Sequence, residues 1–352
     1  MHQRGVKIPV NYRLFLCSLL LFLVLYNPGS GSEPYADWSY SLVHISDTQV
    51  LSSTYPSTLN FTFSYLESQK NAYNITGIVV TGDLVNSCTN TTQWENYANA
   101  RSKTTIPLFE VAGNHDINGV QNNYTAFDAY IGNGKRNWTA EIHDFLFIGI
   151  GYTRNELSDA DVSMYNALIM SRPFKIPIFA THNYFDGITY PTPLSPLGGS
   201  IKGELVIHDP TFIMCGHMHD NILHSGQYSG NTLVEDMTNY QSYGNYAAGK
   251  LYAVYKISDK VIRVGARDLF VYPSQSLGPV TIVYQVPSSA YFDPTLITIG
   301  FSPTTSRRYC IVIIMVSHTI YRSLGTSTMI TSTIGPCSVE MNGLSIITGM
   351  VR

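Results

Sequence analysis

Nine polar residues in this chain have types and positions suited to binding metal ions: Asp47, Gln49, Asp83, Asn114, His115, Asp116, His182, His217 and His219. They cluster behind apolar, strand-like runs: SLVHIS before Asp47, GIVVTG before Asp83, FEVAG before Asn114, IFAT before His182 and FIMCG before His217. A carboxylate, amide or imidazole at the exit of a buried strand projects from a rigid frame. Five such exits converging on one rim would present nitrogen and oxygen donors to two divalent ions, with Asp83 best placed to bridge them. A phosphate ester needs that arrangement, because its anionic oxygens repel a nucleophile and its leaving group departs poorly. Two cations about 3.5–4 Å apart neutralise those oxygens and hold an attacking hydroxide in line with phosphorus.

The elements that must position these donors can be read in order. Residues 40–46 predict a first strand, delivering Asp47 and Gln49. Ser57 is a candidate cap for a helix over 57–73, with Leu59, Phe63 and Leu66 on one face. Residues 78–81 predict a short β-branched strand, 92–103 a helix, and 106–111 a strand running into Gly113-Asn114-His115-Asp116. A loop rich in Tyr and Asn precedes a strand over 144–151, whose end carries no metal-ligand type. Ser158, with Asp161 three residues on, resembles a capping box opening a helix that stops before Pro173. A strand over 175–181 leads to His182. The Pro- and Gly-rich stretch 187–203 predicts a loop at the mouth of the site. Residues 211–215 lead to Gly216-His217-Met218-His219, and 232–237, 251–257 and 261–266 read as further strands, the last two antiparallel. Strands alternating with helices, followed by a run of strands, argue for a mixed α/β sandwich. Ligands of open α/β sheets bind at the carboxyl ends of strands, where all the candidate donors fall.

The chain has 352 residues, enough to bury a large core without disulfides, and its formal charge of −3 gives no sign of a general nucleic-acid binder. Arg4, Lys7 and Arg13 precede an uncharged run over 14–26 and a small-residue exit at 29–32. Residues 1–32 therefore read as a signal peptide, too short in its apolar run for a spanning helix of about 20 residues. No stable transmembrane helix is expected after cleavage, and the domain is expected outside the cell. Asn-x-Ser/Thr sequons at Asn60, Asn74, Asn90, Asn123 and Asn137 fit a glycosylated surface. Cys88, Cys215, Cys310 and Cys337 show no metal or disulfide spacing. The main domain is expected over 38–272. Residues 278–299 resemble the opening strands of an immunoglobulin-like module. Beyond residue 301 the chain holds one acid, Glu340, and no Lys or Asp; 278–352 is set apart as an extension, β-rich or disordered, such as a truncated module or an aberrant tail.

Asp47-x-Gln49, Gly82-Asp83, Gly113-Asn114-His115-Asp116, His182 and Gly216-His217-x-His219 resemble, in order and approximate spacing, the calcineurin-like metallophosphoesterase family. The resemblance spans about residues 41–269 and implies a four-layer α-β-β-α sandwich holding two divalent metal ions, Mn, Fe or Zn. It implies Asp47 and His219 on the first metal, Asp83 bridging, and Asn114, His182 and His217 on the second. His115 would face the substrate and protonate or stabilise the leaving oxygen, with Asp116 orienting it. The family commonly has His two residues after the first Asp; here Gln49 stands there, a weaker neutral donor that favours Mn, bound directly or through water. The Asp-x-Gln variant resembles the manganese-dependent ADP-ribose/CDP-alcohol diphosphatase branch. Asn86 occupies the position where purple acid phosphatases carry an iron-binding tyrosine, which argues against a ferric enzyme. The expected partner is a phosphate-ester small molecule or lipid head group, with no specific nucleic acid. Tyr184, Phe185, Tyr190, Tyr240 and Tyr243 are candidates to stack a base. A non-catalytic exported binding protein on the same scaffold is the alternative outside enzymology. The oligomeric state is not legible in the sequence.

Overall fold

The computed structural model describes residues 38–286, apart from 118–122, 133–135, 189–191, 240–243 and 258–259, together with two short strands near residue 340. Parallel strands β1 (Tyr40–Ile45), β2 (Ile75–Val80) and β3 (Leu108–Glu110) form one end of the first sheet. In the second sheet, β4 (Asn137–Ile142) runs antiparallel to β5 (Phe145–Ile150). Strands β6 (Ile176–Thr181) and β7 (Thr211–Cys215) continue it in parallel with β5, and β8 (Ile222–Tyr228) pairs antiparallel with β9 (Asn231–Met237) at its far edge. The chain then returns to the first sheet through β10 (Ala247–Ile257), antiparallel to β1, and β11 (Lys260–Tyr272). Along β11 lie β12 (Ser276–Leu277) and β13 (Thr281–Gln285).

The period of two along each strand sorts the core into layers. Leu42, Phe147, Ile178 and Val254 face the space between the sheets. Their neighbours Val43 and Ile45 face outward against Leu51, Phe63 and Trp94 of helices α1 (Gln49–Thr54), α2 (Pro56–Gln69) and α3 (Thr91–Arg101). On the opposite side Ile148 and Phe179 meet Val162 and Ile169, borne on α5 (Asp159–Met170) after the short α4 (Thr125–Tyr130). Leu197 and Leu205, from α6 (Pro196–Ser200) and the π-helical turn Ile201–Leu205, complete that outer core. The result is the expected four-layer α-β-β-α sandwich. Strands β1, β5, β6 and β7 are buried along both faces, as parallel strands covered by helices must be.

Several local expectations change. Pro56, not Ser57, opens α2, and no side chain caps it; proline's fixed φ suits the first turn. The Pro- and Gly-rich stretch expected as loop contains α6, because the Ser195 hydroxyl accepts the Gly198 N–H at 3.0 Å and Pro196 follows at the first position. Strand β4 falls in what reads as loop, although Trp138, Ala140 and Ile142 alternate there. Strand β13 pairs along β11 in the first sheet, with Arg263 opposite Gln285, so residues 281–285 of the expected extension continue that sheet; residues 287–299 lie outside the described residues. Ser158 caps α5 as expected, its hydroxyl accepting the Asp161 N–H at 3.2 Å.

The chain divides into one unit up to Pro287 and another from Ser288. The second unit is described only at Glu340–Met341 and Leu344–Ser345, which pair antiparallel. The signal-peptide reading of 1–32 and most of the tail lie outside the described residues. Among those described, no helix is long and apolar enough to cross a membrane.

Candidate metal centre

The candidate donors emerge where β1, β2, β3, β6 and β7 end, and the backbone there is held in uncommon geometry. Asp47, Asp83, His217 and His219 have φ of 57°, 51°, 78° and 52°, left-handed values that cost non-glycine residues of order 1–3 kcal/mol each. The surrounding loops lock that geometry. Asp47 N–H donates to the Gly82 carbonyl at 2.9 Å and Gly216 N–H to the His182 carbonyl at 3.1 Å. Two glycines permit the close approach: a Cβ on Gly113 would overlap the Asp83 carboxylate, and one on Gly216 would overlap Ser46 Oγ and Asp47 Oδ2.

Asp47, Asp83 and His182, all buried, place donor atoms within 4.8 Å of one another. The His182 Nδ1–H donates to the Thr81 carbonyl at 2.7 Å. That bond turns Nε2 toward the centre, 3.3 Å from Asp83 Oδ1 and 3.1 Å from Asn114 Oδ1. Donors bound about 2.1 Å from one ion sit roughly 3.0–3.4 Å apart, so these three atoms fit the rim of a single cation. The other Asp83 oxygen faces Gln49. With the Gln49 nitrogen donating to the carbonyls of Asp47 (2.5 Å) and Asp83 (3.1 Å), its amide oxygen stands 3.4 Å from Asp83 Oδ2. Nε2 of His219 lies 4.0 Å from Asp47 Oδ1, and the His217 ring is 5.0 Å from that of His182. All seven expected donors thus gather at one rim, and the two Asp83 oxygens face two different sets.

The electrostatics fit a cation site. Burial, reinforced by Asp83 and opposed by His182, pushes the Asp47 pKa up to about 7. Burial alone would lower the His182 pKa, but Asp83 and Asp47 raise it to about 9. Crowded carboxylates therefore hold a proton where metal charge would otherwise compensate them. His217, depressed to about 4 by burial and by His182, and His219, lowered mainly by burial, are neutral imidazoles near pH 7, the form that binds metals.

His115 is 40% exposed, with Nε2 3.9 Å from Asp83 Oδ2, so it faces the open side of the centre. Its orientation comes from the Asn86 backbone carbonyl, 2.8 Å from Nδ1. Asp116 does not orient it. The Asp116 carboxylate is fully buried and accepts the N–H groups of Leu84 (2.8 Å), Val85 (3.0 Å) and Gly113 (2.7 Å), tying the Asp83 loop to the Asn114 loop. Gln93 supports the same loop, its Oε1 accepting from Asn86 N and Ser87 N at 2.9 Å each; no motif marks that role. Tyr184 and Phe185 are buried in the outer core and cannot stack a base. Tyr190, Tyr240 and Tyr243 lie outside the described residues.

One layer deeper, between the sheets, lies a second polar cluster that the sequence gives no reason to expect. Nδ1 of His44 is 2.5 Å from Asp236 Oδ2, and its Nε2 is 2.9 Å from Thr81 Oγ1. Tyr252 OH donates to Asp236 at 2.6 Å, and Lys250 Nζ lies 3.7 Å from the same carboxylate. Thr81 links the clusters, its side chain meeting His44 and its carbonyl holding His182.

Comparison with known proteins agrees with this geometry. Residues 40–244 match the model of the calcineurin-like phosphoesterases. The Bacillus subtilis protein YvnB is 26% identical over 209 residues, which are 53% of this chain and only 16% of that protein. A dimetal phosphatase from Danio rerio shares the fold, with a TM-score of 0.51 at 11% identity, over 71% of this chain and all of that one. A purple acid phosphatase from yellow lupin covers 69% of this chain and 53% of its own, with 12% identity and a TM-score of 0.48. The family match spans more than half of the sequence and includes every strand end that bears a donor, so the chain belongs to the calcineurin-like phosphoesterase family.

Proposed function

We propose that this chain is an exported hydrolase of phosphomonoesters or phosphodiesters, working through two divalent ions that share Asp83. The observation carrying this reading is the placement of the two Asp83 oxygens, one toward His182 and Asn114 and the other toward Gln49. Asp47, His219 and Gln49 would hold one ion; Asn114, His182 and His217 would hold the other. Once bound, such a pair neutralises the phosphate oxygens and acidifies a water molecule. The chain itself supplies orientation and a proton. Thr81 fixes the His182 tautomer, and the Asn86 carbonyl accepts the His115 Nδ1–H, so that Nε2 faces the leaving oxygen and, when the ring carries its second proton, would donate that proton to it. Gln49, an oxygen donor, favours Mn over Zn, with Fe between them.

The Asp47-x-Gln49 pattern also supports a second reading, cleavage of a nucleotide diphosphate of the ADP-ribose or CDP-alcohol type. Assays with p-nitrophenyl phosphate, bis-p-nitrophenyl phosphate and ADP-ribose in the presence of Mn separate the two. Preferential turnover of either nitrophenyl ester supports the first reading, and preferential turnover of ADP-ribose the second. Metal-free protein that hydrolyses none, and is unchanged by His115→Ala, would leave only a binding protein on this scaffold. Export rests on the basic and apolar N-terminus together with sequons at exposed Asn74, Asn90, Asn123 and Asn137 and half-buried Asn60. Glycosidase treatment of protein from a glycosylating host is expected to reduce its apparent mass; an intracellular, unshifted protein would contradict export.

A further inference from the structure

Strand β5 ends without a metal-ligand residue, yet the turn after it is fastened to the centre on three sides. Tyr152 N–H donates to the Ala112 carbonyl at 2.9 Å, beside the Asn114 loop. Tyr124 OH donates to the Tyr152 carbonyl at 3.0 Å. Nδ2 of Asn183, the residue after His182, donates to the Thr153 carbonyl at 2.7 Å. The Tyr152 ring consequently packs 5.9 Å from His217 and 6.2 Å from His182, centroid to centroid. Out of this anchored turn comes Arg154, exposed to solvent, with Nε donating to Tyr152 OH at 3.3 Å. No carboxylate among the described residues pairs with it, whereas Arg101, Arg172, Lys175, Lys202, Lys250 and Lys256 all have acidic partners. A second cation, Arg136, stands over the Tyr124 ring at 5.4 Å.

A guanidinium tied through Nε to a phenol keeps its two terminal nitrogens open as a fork. Such a fork matches the oxygens of a phosphate, and charge-assisted pairs of that kind are the strong ones. An arginine beside a centre carrying two divalent ions is repelled by it until an anion arrives. We propose that Arg154 binds a second phosphoryl group of the substrate, so that the site takes phosphate esters carrying an additional phosphate, as in a diphosphate linkage. This rests on the function proposed above and narrows its substrate class. Arg154 is a binding residue here and takes no part in bond breaking.

The test compares wild type with Arg154→Gln and Arg154→Lys, both at an exposed position outside the core. For Arg154→Gln the ratio of kcat/KM for ADP-ribose to that for bis-p-nitrophenyl phosphate is expected to fall about tenfold or more, through KM. Arg154→Lys, a point charge without the fork, is expected to recover part of that loss. Calorimetric titration with inorganic diphosphate supplies a readout independent of turnover, and Arg154→Gln is expected to weaken binding about tenfold relative to inorganic phosphate. An unchanged substrate ratio together with unchanged diphosphate affinity overturns the proposal. Diphosphate binding that depends on Arg154, in a protein that hydrolyses no phosphate ester, would instead refute the hydrolase reading and leave the anion site standing.

Discussion

Two clusters of buried charge lie close together, one between the sheets at His44 of β1 and one just past the strand ends at Asp47 and Asp83, and they are built on opposite principles. Around His44, one carboxylate, Asp236, is met by an imidazole, a phenol and an ammonium group. Burial works to raise the Asp236 pKa, but His44 and Lys250 outweigh it and bring it below the usual range. Around Asp47 and Asp83, two buried carboxylates face one histidine that can carry charge, and Asp47 rises to about 7. The inner cluster finds its counter-charge within the protein and links β1 and β10 of one sheet to β9 of the other. The outer one is left short of positive charge, and metal ions would supply it. The same residue types thus serve stability or chemistry according to whether the chain supplies the counter-charge.

That contrast can be broken from either side. The largest effect is expected from Asp83→Asn, which should lower kcat roughly a thousandfold in steady-state assays and reduce bound metal, whereas Asp47→Asn should stabilise the chelated protein at alkaline pH by removing the carboxylate that burial pushes up to about 7. The matching change in the inner cluster has the opposite sign in stability. His44→Leu leaves Asp236 buried without its main partner and should cost about 3–5 kcal/mol in urea unfolding. Because Thr81 then loses its side-chain support, metal affinity should also fall about tenfold. If Asp47→Asn and His44→Leu destabilise the chelated protein equally, the distinction between the clusters fails.

The pH dependence sharpens the comparison further. In chelated protein, His182 (about 9) and Asp47 (about 7) both bind protons more tightly than their ordinary values allow in the unfolded chain. The folded state therefore takes up protons between pH 9 and pH 7, and its Tm is expected to rise over that interval. His217, held near 4, acts in the reverse direction only below its ordinary range and leaves this interval unaffected. Metal-loaded protein should lack the gain, because ions occupy the place of those protons; scanning calorimetry at both pH values, with and without chelator, measures the difference. The smallest effect is expected from Gln49→Leu: Mn affinity about tenfold weaker by competition with a metal-sensitive dye, with the fold intact.

The centre was legible because strand ends leave a local signature. Asp47, Asp83, Asn114, His182 and His217 each follow an apolar run, and the sheets bring those runs together in the order the runs imply. What stayed hidden depends on contacts distant in sequence. His44 and Asp236 are 192 residues apart, and neither sits in a motif, so no local pattern links them. Asp116 sits within a motif, yet its role is set by the N–H groups of a loop some thirty residues earlier. Edge strands β4 and β8 are only half covered, and their weak apolar alternation is easily read as loop. Helix α6 was masked by proline and glycine, which ordinarily break helices, although Ser195 and Pro196 stand where a helix start needs them.

The most direct test of the account is the metal content and spin state of protein loaded with Mn and freed of excess. Two ions per chain with an exchange-coupled paramagnetic spectrum, uncoupled in Asp83→Asn, is the predicted result. A single ion per chain, or two that remain magnetically independent in the wild type, would contradict a centre bridged by Asp83.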